Sequence, residues 1–113
     1  MVGIMTNIEP VTLINVFEVP QEELDAFIAD WRTRAEFMSR QPGFRSFRLH
    51  RAVSPDSKFQ LVNVAEWDSP EALQSAVGHP DFQAGIRHVA ETFTATAHPG
   101  LFHVVEEFTR SAR

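Results

Sequence analysis

Three of the four stretches that read as strands are apolar on both faces, and that pattern limits the possible folds more than any other feature. In residues 11–19, Val11, Leu13 and Phe17 alternate with Ile14 and Val16. In residues 58–67, Phe59, Leu61 and Ala65 alternate with Val62 and Val64. In residues 101–109, Leu101 and Val105 alternate with Phe102, Val104 and Phe108. Successive side chains of a strand point to opposite sides, so a sheet of such strands needs cover on both faces.

The segments between these strands supply one layer of that cover. Pro20 suits the first turn of a helix, and Glu22, Glu23 and Asp25 favour its positive end. Leu24, Phe27, Ile28, Trp31, Ala35 and Met38 follow at helical spacing, and Pro42-Gly43 closes the helix. A strand is expected over residues 44–53, then a turn at Ser54-Pro55-Asp56-Ser57 and the strand 58–67. Asp68 or Ser69 caps a second helix with Pro70 just inside it. That helix breaks near Gly78-His79-Pro80 and resumes with Phe82, Ile86, Val89 and Phe93 on one face. A loop through His98-Pro99-Gly100 is expected to lead into the last strand. The order β-α-β-β-α-β is the ferredoxin-like α+β arrangement with an antiparallel four-stranded sheet. Its helices cover one face. A second copy packed sheet to sheet is the simplest cover for the other, so a twofold homodimer is expected. Residues 1–10 read as an N-terminal extension, 11–109 as one domain and 110–113 as a frayed tail.

Composition narrows the function. A net charge of −5, with no run of Lys or Arg, argues against nucleic-acid binding. The absence of Cys excludes disulfides, thiolate metal sites and thiol nucleophiles. No apolar stretch approaches the ~20 residues of a membrane helix, and the start lacks the pattern of a signal peptide. A soluble cytoplasmic protein with no membrane partner is expected. No Gly-rich dinucleotide fingerprint, P-loop or H-E-x-x-H metal motif occurs. Ten residues are Phe and none is Tyr, so no phenol is available for oxygen chemistry.

The clearest anomaly is a polar residue inside two apolar strands: Asn15 in Leu13-Ile14-Asn15-Val16-Phe17, and Asn63 in Leu61-Val62-Asn63-Val64-Ala65. A buried amide without partners costs about 1–3 kcal/mol. Two in one small sheet point to a polar spot lining a cavity; the alternative is a pair of amides bonded to backbone at a strand irregularity. Trp67 shares a strand face with Asn63 and is either a pocket wall or a strand-end core residue. Arg87 flanks the apolar stripe of the last helix, as an anion-holding group or a solvated arginine. Of the five histidines, His50 is the candidate general base, because imidazole titrates near neutral pH; the plainer reading is a surface histidine.

The segment Leu61-Val-Asn-Val-Ala-Glu-Trp-Asp-Ser-Pro-Glu-Ala-Leu73, together with Ile14-Asn15-Val-Phe-Glu-Val-Pro20 and Pro42-Gly43-Phe44, resembles the antibiotic-biosynthesis monooxygenase family. The resemblance spans about residues 11–109 and implies a dimeric α/β barrel. In the cofactor-independent anthrone monooxygenase branch, the pocket uses an Asn, a Trp beyond three intervening residues, and an Arg twenty positions further. Asn63, Trp67 and Arg87 match that spacing. The same branch uses tyrosines where this chain has Leu73 and Leu49. In the haem-degrading branch Asn15 matches the first-strand asparagine, but that branch's tryptophan falls on Ala76 and its haem-ligating histidine on Gly85. His88, one turn further, is the candidate substitute in that branch.

The resemblance implies a monooxygenase that uses O2 on an electron-rich aromatic, such as an anthrone or polyketide-like molecule, without a cofactor. A deprotonated phenolic substrate can itself donate an electron to oxygen. The protein then binds the ring, assists deprotonation and stabilises the anion. Asn63, Trp67, Arg87 and His50 are the candidate catalytic residues, and Asn15, Phe17, Leu49 and Leu73 the candidate substrate-binding ones. The alternatives are a non-catalytic small-ligand binder of the same fold and, less favoured, a haem-degrading enzyme.

Overall fold

The computed structural model describes residues 9–111. Four strands form one antiparallel sheet in the order β2-β3-β1-β4: β1 Val11–Glu18, β2 Phe44–Arg51, β3 Leu61–Trp67 and β4 Thr96–Phe102. Helices α1 Leu24–Ser39, α2 Pro70–Val77 and α3 Pro80–Thr92 lie on one side of it. The fold is ferredoxin-like α+β. None of these helices is long and apolar enough to cross a membrane.

Local chemistry fixes the joints. Pro20 leads into a 3-10 turn, Gln21–Glu23, that feeds α1. At the other end of α1, Gly43 has φ +89°, which only glycine adopts readily. A Cβ there would also lie 2.5 Å from Ala72 Cβ. This bare backbone brings α2 against the start of β2, and Gly43 O accepts a hydrogen bond from Asp68 N at 2.8 Å. Ser69 Oγ caps α2 by accepting from Ala72 N at 3.1 Å, with Pro70 at a position where no N–H is needed. The expected break falls at Gly78-His79, and α3 restarts at Pro80.

The hairpin strands are shorter than the sequence expectation of 44–53 and 58–67. The cause is Gln60, only 4% exposed, whose Nε2 donates to the carbonyls of Ser54, Pro55 and Ser57 and ties residues 54–57 into a compact turn.

The expected last strand, 101–109, is corrected more deeply. β4 runs over Thr96–Phe102 and pairs with β1 from Glu18↔Thr96 to Thr12↔Phe102. Glu23 takes hydrogen bonds from both Thr94 N and Thr94 Oγ1 at 2.8 Å, which delivers the chain to the sheet early. His98-Pro99-Gly100 is therefore strand, not loop. Pro99 is tolerated because β4 is an edge strand with one neighbour. Residues 103–111 carry no helix or strand. Val104, Val105 and Phe108 are largely exposed, so the alternation expected for them does not apply.

The core forms two clusters between sheet and helices. Val11, Ala65, Trp67, Leu73 and Ala76 make one; Phe17, Val19, Leu24, Phe27 and Leu61 make the other. Between them the packing leaves a cavity.

Candidate active site

The cavity measures about 290 Å³. Its floor is the helix-facing side of the sheet: Leu13, Asn15 and Phe17 from β1, Asn63, Ala65 and Trp67 from β3, and Phe44 and Phe47 from β2. α1 contributes Phe27, Trp31, Arg34 and Met38, and α3 contributes Phe82, Ile86 and Val89. Edge-to-face pairs hold the rings in place, with centroids 5.4 Å apart for Phe44–Trp67, 5.5 Å for Phe17–Phe27 and 5.1 Å for Trp31–Phe47. An apolar, aromatic-walled space with a few polar groups is the usual form of a small-molecule site.

Two of those polar groups are Asn15 and Asn63. They are direct register partners across β1 and β3, so their side chains rise side by side from the floor. Asn15 Oδ1 and Asn63 Oδ1 are both buried with no hydrogen-bond partner. Buried polar atoms almost always have a partner. Two adjacent orphans in a cavity wall are what a site looks like when its ligand carries the donor.

The third polar group is Arg34, which the sequence reading missed. Its side chain is 11% exposed and reaches the cavity from α1. Asp30, one turn earlier, accepts a hydrogen bond from Arg34 Nη1. The guanidinium lies 5.8 Å from the centroid of Phe27. Gly85 leaves room for its stem, since a Cβ on Gly85 would stand 3.3 Å from Arg34 Cδ. Burial pushes the Arg34 guanidinium below its ordinary pKa, while the charge and hydrogen bond of Asp30 oppose that shift. A signal existed in the sequence: Arg34 falls three residues after Trp31 and seven after Phe27, on the apolar stripe itself.

Of the sequence candidates, Asn15, Phe17, Asn63 and Trp67 converge on the cavity. Leu49 and Leu73 do not line it; Leu73 is buried in the first core cluster and Leu49 packs against the second. His50 is on the wrong side of the sheet. A bulge between Phe44 and Ser46 inserts one residue into β2, and one extra residue reverses the facing of everything beyond it. His50 therefore pairs with Val62 on the open face, is exposed, and has Nδ1 3.2 Å from Val62 O. It cannot serve as a base in this cavity. Arg87 is exposed on α3 and does not line the cavity. The helix turns it outward while Ile86, Val89 and Ala90 face in.

A family model described as antibiotic biosynthesis monooxygenase matches residues 10–88. The chain belongs to this family. It is 31% identical over 96 residues to a heme oxygenase (mycobilin-producing) of Mycobacterium tuberculosis, covering 85% of this chain and 90% of that protein. It superposes with a TM-score of 0.74 on SnoaB, a cofactor-independent oxygenase from Streptomyces nogalater, at 28% identity over 90% of this chain and 99% of that one. A protein of Shewanella loihica PV-4 gives 0.72 at 33% identity, over 88% of this chain and 98% of that one.

The heme oxygenase relative raises the question of haem. Haem iron takes an axial His, Cys or Tyr, and Met ligates it only beside a His. Among the described residues lining the cavity there is no His, Cys or Tyr, and the one sulfur is Met38. His88 does not line it either; its Nε2 lies 3.5 Å from Asp30 Oδ1. The position where the haem-degrading branch carries its histidine is Gly85, and the Arg34 stem packs beside it. These residues do not fit haem.

Proposed function

We propose that this family member binds a flat, hydroxylated aromatic in the cavity and oxidises it with O2 without a cofactor. The observation that carries this reading is the pair of unpartnered amide oxygens, Asn15 Oδ1 and Asn63 Oδ1, in an aromatic-walled cavity. A phenolic or enolic O–H supplies the donor they lack. Trp31, Trp67 and the surrounding phenylalanines match the faces of a ring system.

The chemistry follows from the substrate. An anthrone-like methylene loses a proton to give an electron-rich enolate. The enolate passes one electron to O2, and the resulting radical and superoxide combine and take up a proton. The hydroperoxide then loses water to leave a carbonyl, so one oxygen atom enters the product and the other leaves as water. Among the described residues lining the cavity, Arg34 is the single ionisable one, so no wall residue acts as a general base. The substrate's own acidity supplies the proton loss. The amides orient the oxygen on which charge develops, and the apolar wall limits water around the intermediate. In the same reading two copies pack through their open sheet faces.

Oxygen uptake with 1,8-dihydroxyanthrone, without added metal, flavin or haem, tests the reading. Uptake is expected to exceed the protein-free rate and to fall at least tenfold in Asn63→Leu. Uptake no faster than in buffer sinks it. The missing base favours a second reading, a binder of the same aromatics; there the anthrone quenches the fluorescence of Trp31 and Trp67 while oxygen uptake stays at the buffer rate.

A further inference from the structure

Asn15 and Asn63 account for the floor of the cavity but not for the cation in its wall. A guanidinium carries five N–H donors, and among the described residues the hydrogen bond Arg34 makes is the one to Asp30. Asp30 is itself divided, with Oδ2 on Arg34 and Oδ1 3.5 Å from His88 Nε2. A pair formed only to stiffen α1 gains little from burial, because desolvation offsets the attraction. The surface of α1 was open to it, yet Arg34 instead extends into a wall otherwise built of Phe27, Trp31, Ala35 and Met38.

We propose that Arg34 is a specificity-determining residue that selects aromatics bearing an ionised oxygen, a carboxylate or an enolate, remote from the hydroxyl held by Asn15 and Asn63. The proposal rests on the reading of the cavity as an aromatic-ligand site. The amides rise from the sheet and Arg34 enters from α1, so a fused ring lying between them presents a donor to one and an anion to the other. Bidentate hydrogen bonding from the planar fork suits a carboxylate. The ring of Phe27 beside the guanidinium and the space left by Gly85 hold the fork in place.

The test compares 6-hydroxy-2-naphthoate with 2-naphthol by calorimetric titration of the full chain. The wild type is expected to prefer the carboxylate by about tenfold or more, the scale of one charge-assisted hydrogen bond. Arg34→Gln should bring the affinity ratio close to one, and Arg34→Lys should retain part of it, since the charge remains and the fork is lost. The double variant Asp30→Asn with Arg34→Gln removes the pair without stranding a carboxylate, and gives the same readout should the single variant fail to fold. If 2-naphthol binds but the carboxylate is not preferred, or the preference survives in Arg34→Gln, the role of Arg34 is overturned while the aromatic site stands. If neither probe binds the wild type, both readings fall.

Discussion

An amide oxygen buried without a donor costs about 1–3 kcal/mol, and Asn15 and Asn63 carry one each. That cost makes a prediction at the level of a single residue. Asn63→Leu should leave the free energy of unfolding unchanged or raise it by up to about 1–3 kcal/mol, while abolishing aromatic binding. Urea denaturation followed beside a ligand titration reads both effects; a fall in stability would show that the amide is structural. The two asparagines were legible in the sequence because a polar residue in an apolar alternation stands out. Arg34 was not. Asp30 and Arg34 at i, i+4 look like an ordinary surface ion pair, and only the packing of α1 on the sheet shows that this pair straddles the helix's buried edge.

At the scale of elements, the joints matter more than the helices and strands themselves. Gly43 lets α2 approach β2, and its φ of +89° is disfavoured for any other residue. Gly43→Ala is expected to cost about 1–2 kcal/mol from backbone conformation alone, and more because the new methyl meets Ala72 Cβ at 2.5 Å. Chemical denaturation of that variant beside Ser69→Ala, expected to lose about 1 kcal/mol with its cap, would rank the two joints. A smaller loss at Gly43 than at Ser69 would contradict the close approach. Pro70 announced the start of α2, because proline at a helix start has a local reason; Gly78-His79-Pro80 announced the break before α3, which in the structure already includes Pro80. The bulge at Arg45 had no such announcement. It depends on how β2 meets β3, with Arg45 Nε reaching Asp68 Oδ1 at 2.5 Å, and it moved His50 to the opposite face.

For the whole molecule the open face of the sheet is the feature that calls for a partner. Ile14, Val16, Val62 and Val64 lie there, only half-covered. Beyond β4, Val104, Val105 and Phe108 are 68%, 94% and 90% exposed. Sedimentation is expected to give twice the chain mass of 12.8 kDa, and Val64→Asp should shift it toward the monomer by burying an unpaired charge. A wild-type mass that stays at one chain at every concentration would contradict a second copy on that face. The alternation in β1 and β3 and the helix stripes, both set by local periodicity, determined the β-α-β-β-α-β order and the Asn15, Asn63 and Trp67 constellation. The tertiary structure decided which strand end pairs with which, and so that β4 is Thr96–Phe102. It also decided that His50 and Arg87 face away from the cavity and that Arg34 faces it. These depend on the inserted residue in β2, the Glu23–Thr94 contact and the angle of α1 on the sheet. Such contacts join residues far apart in the chain, and no local period encodes them.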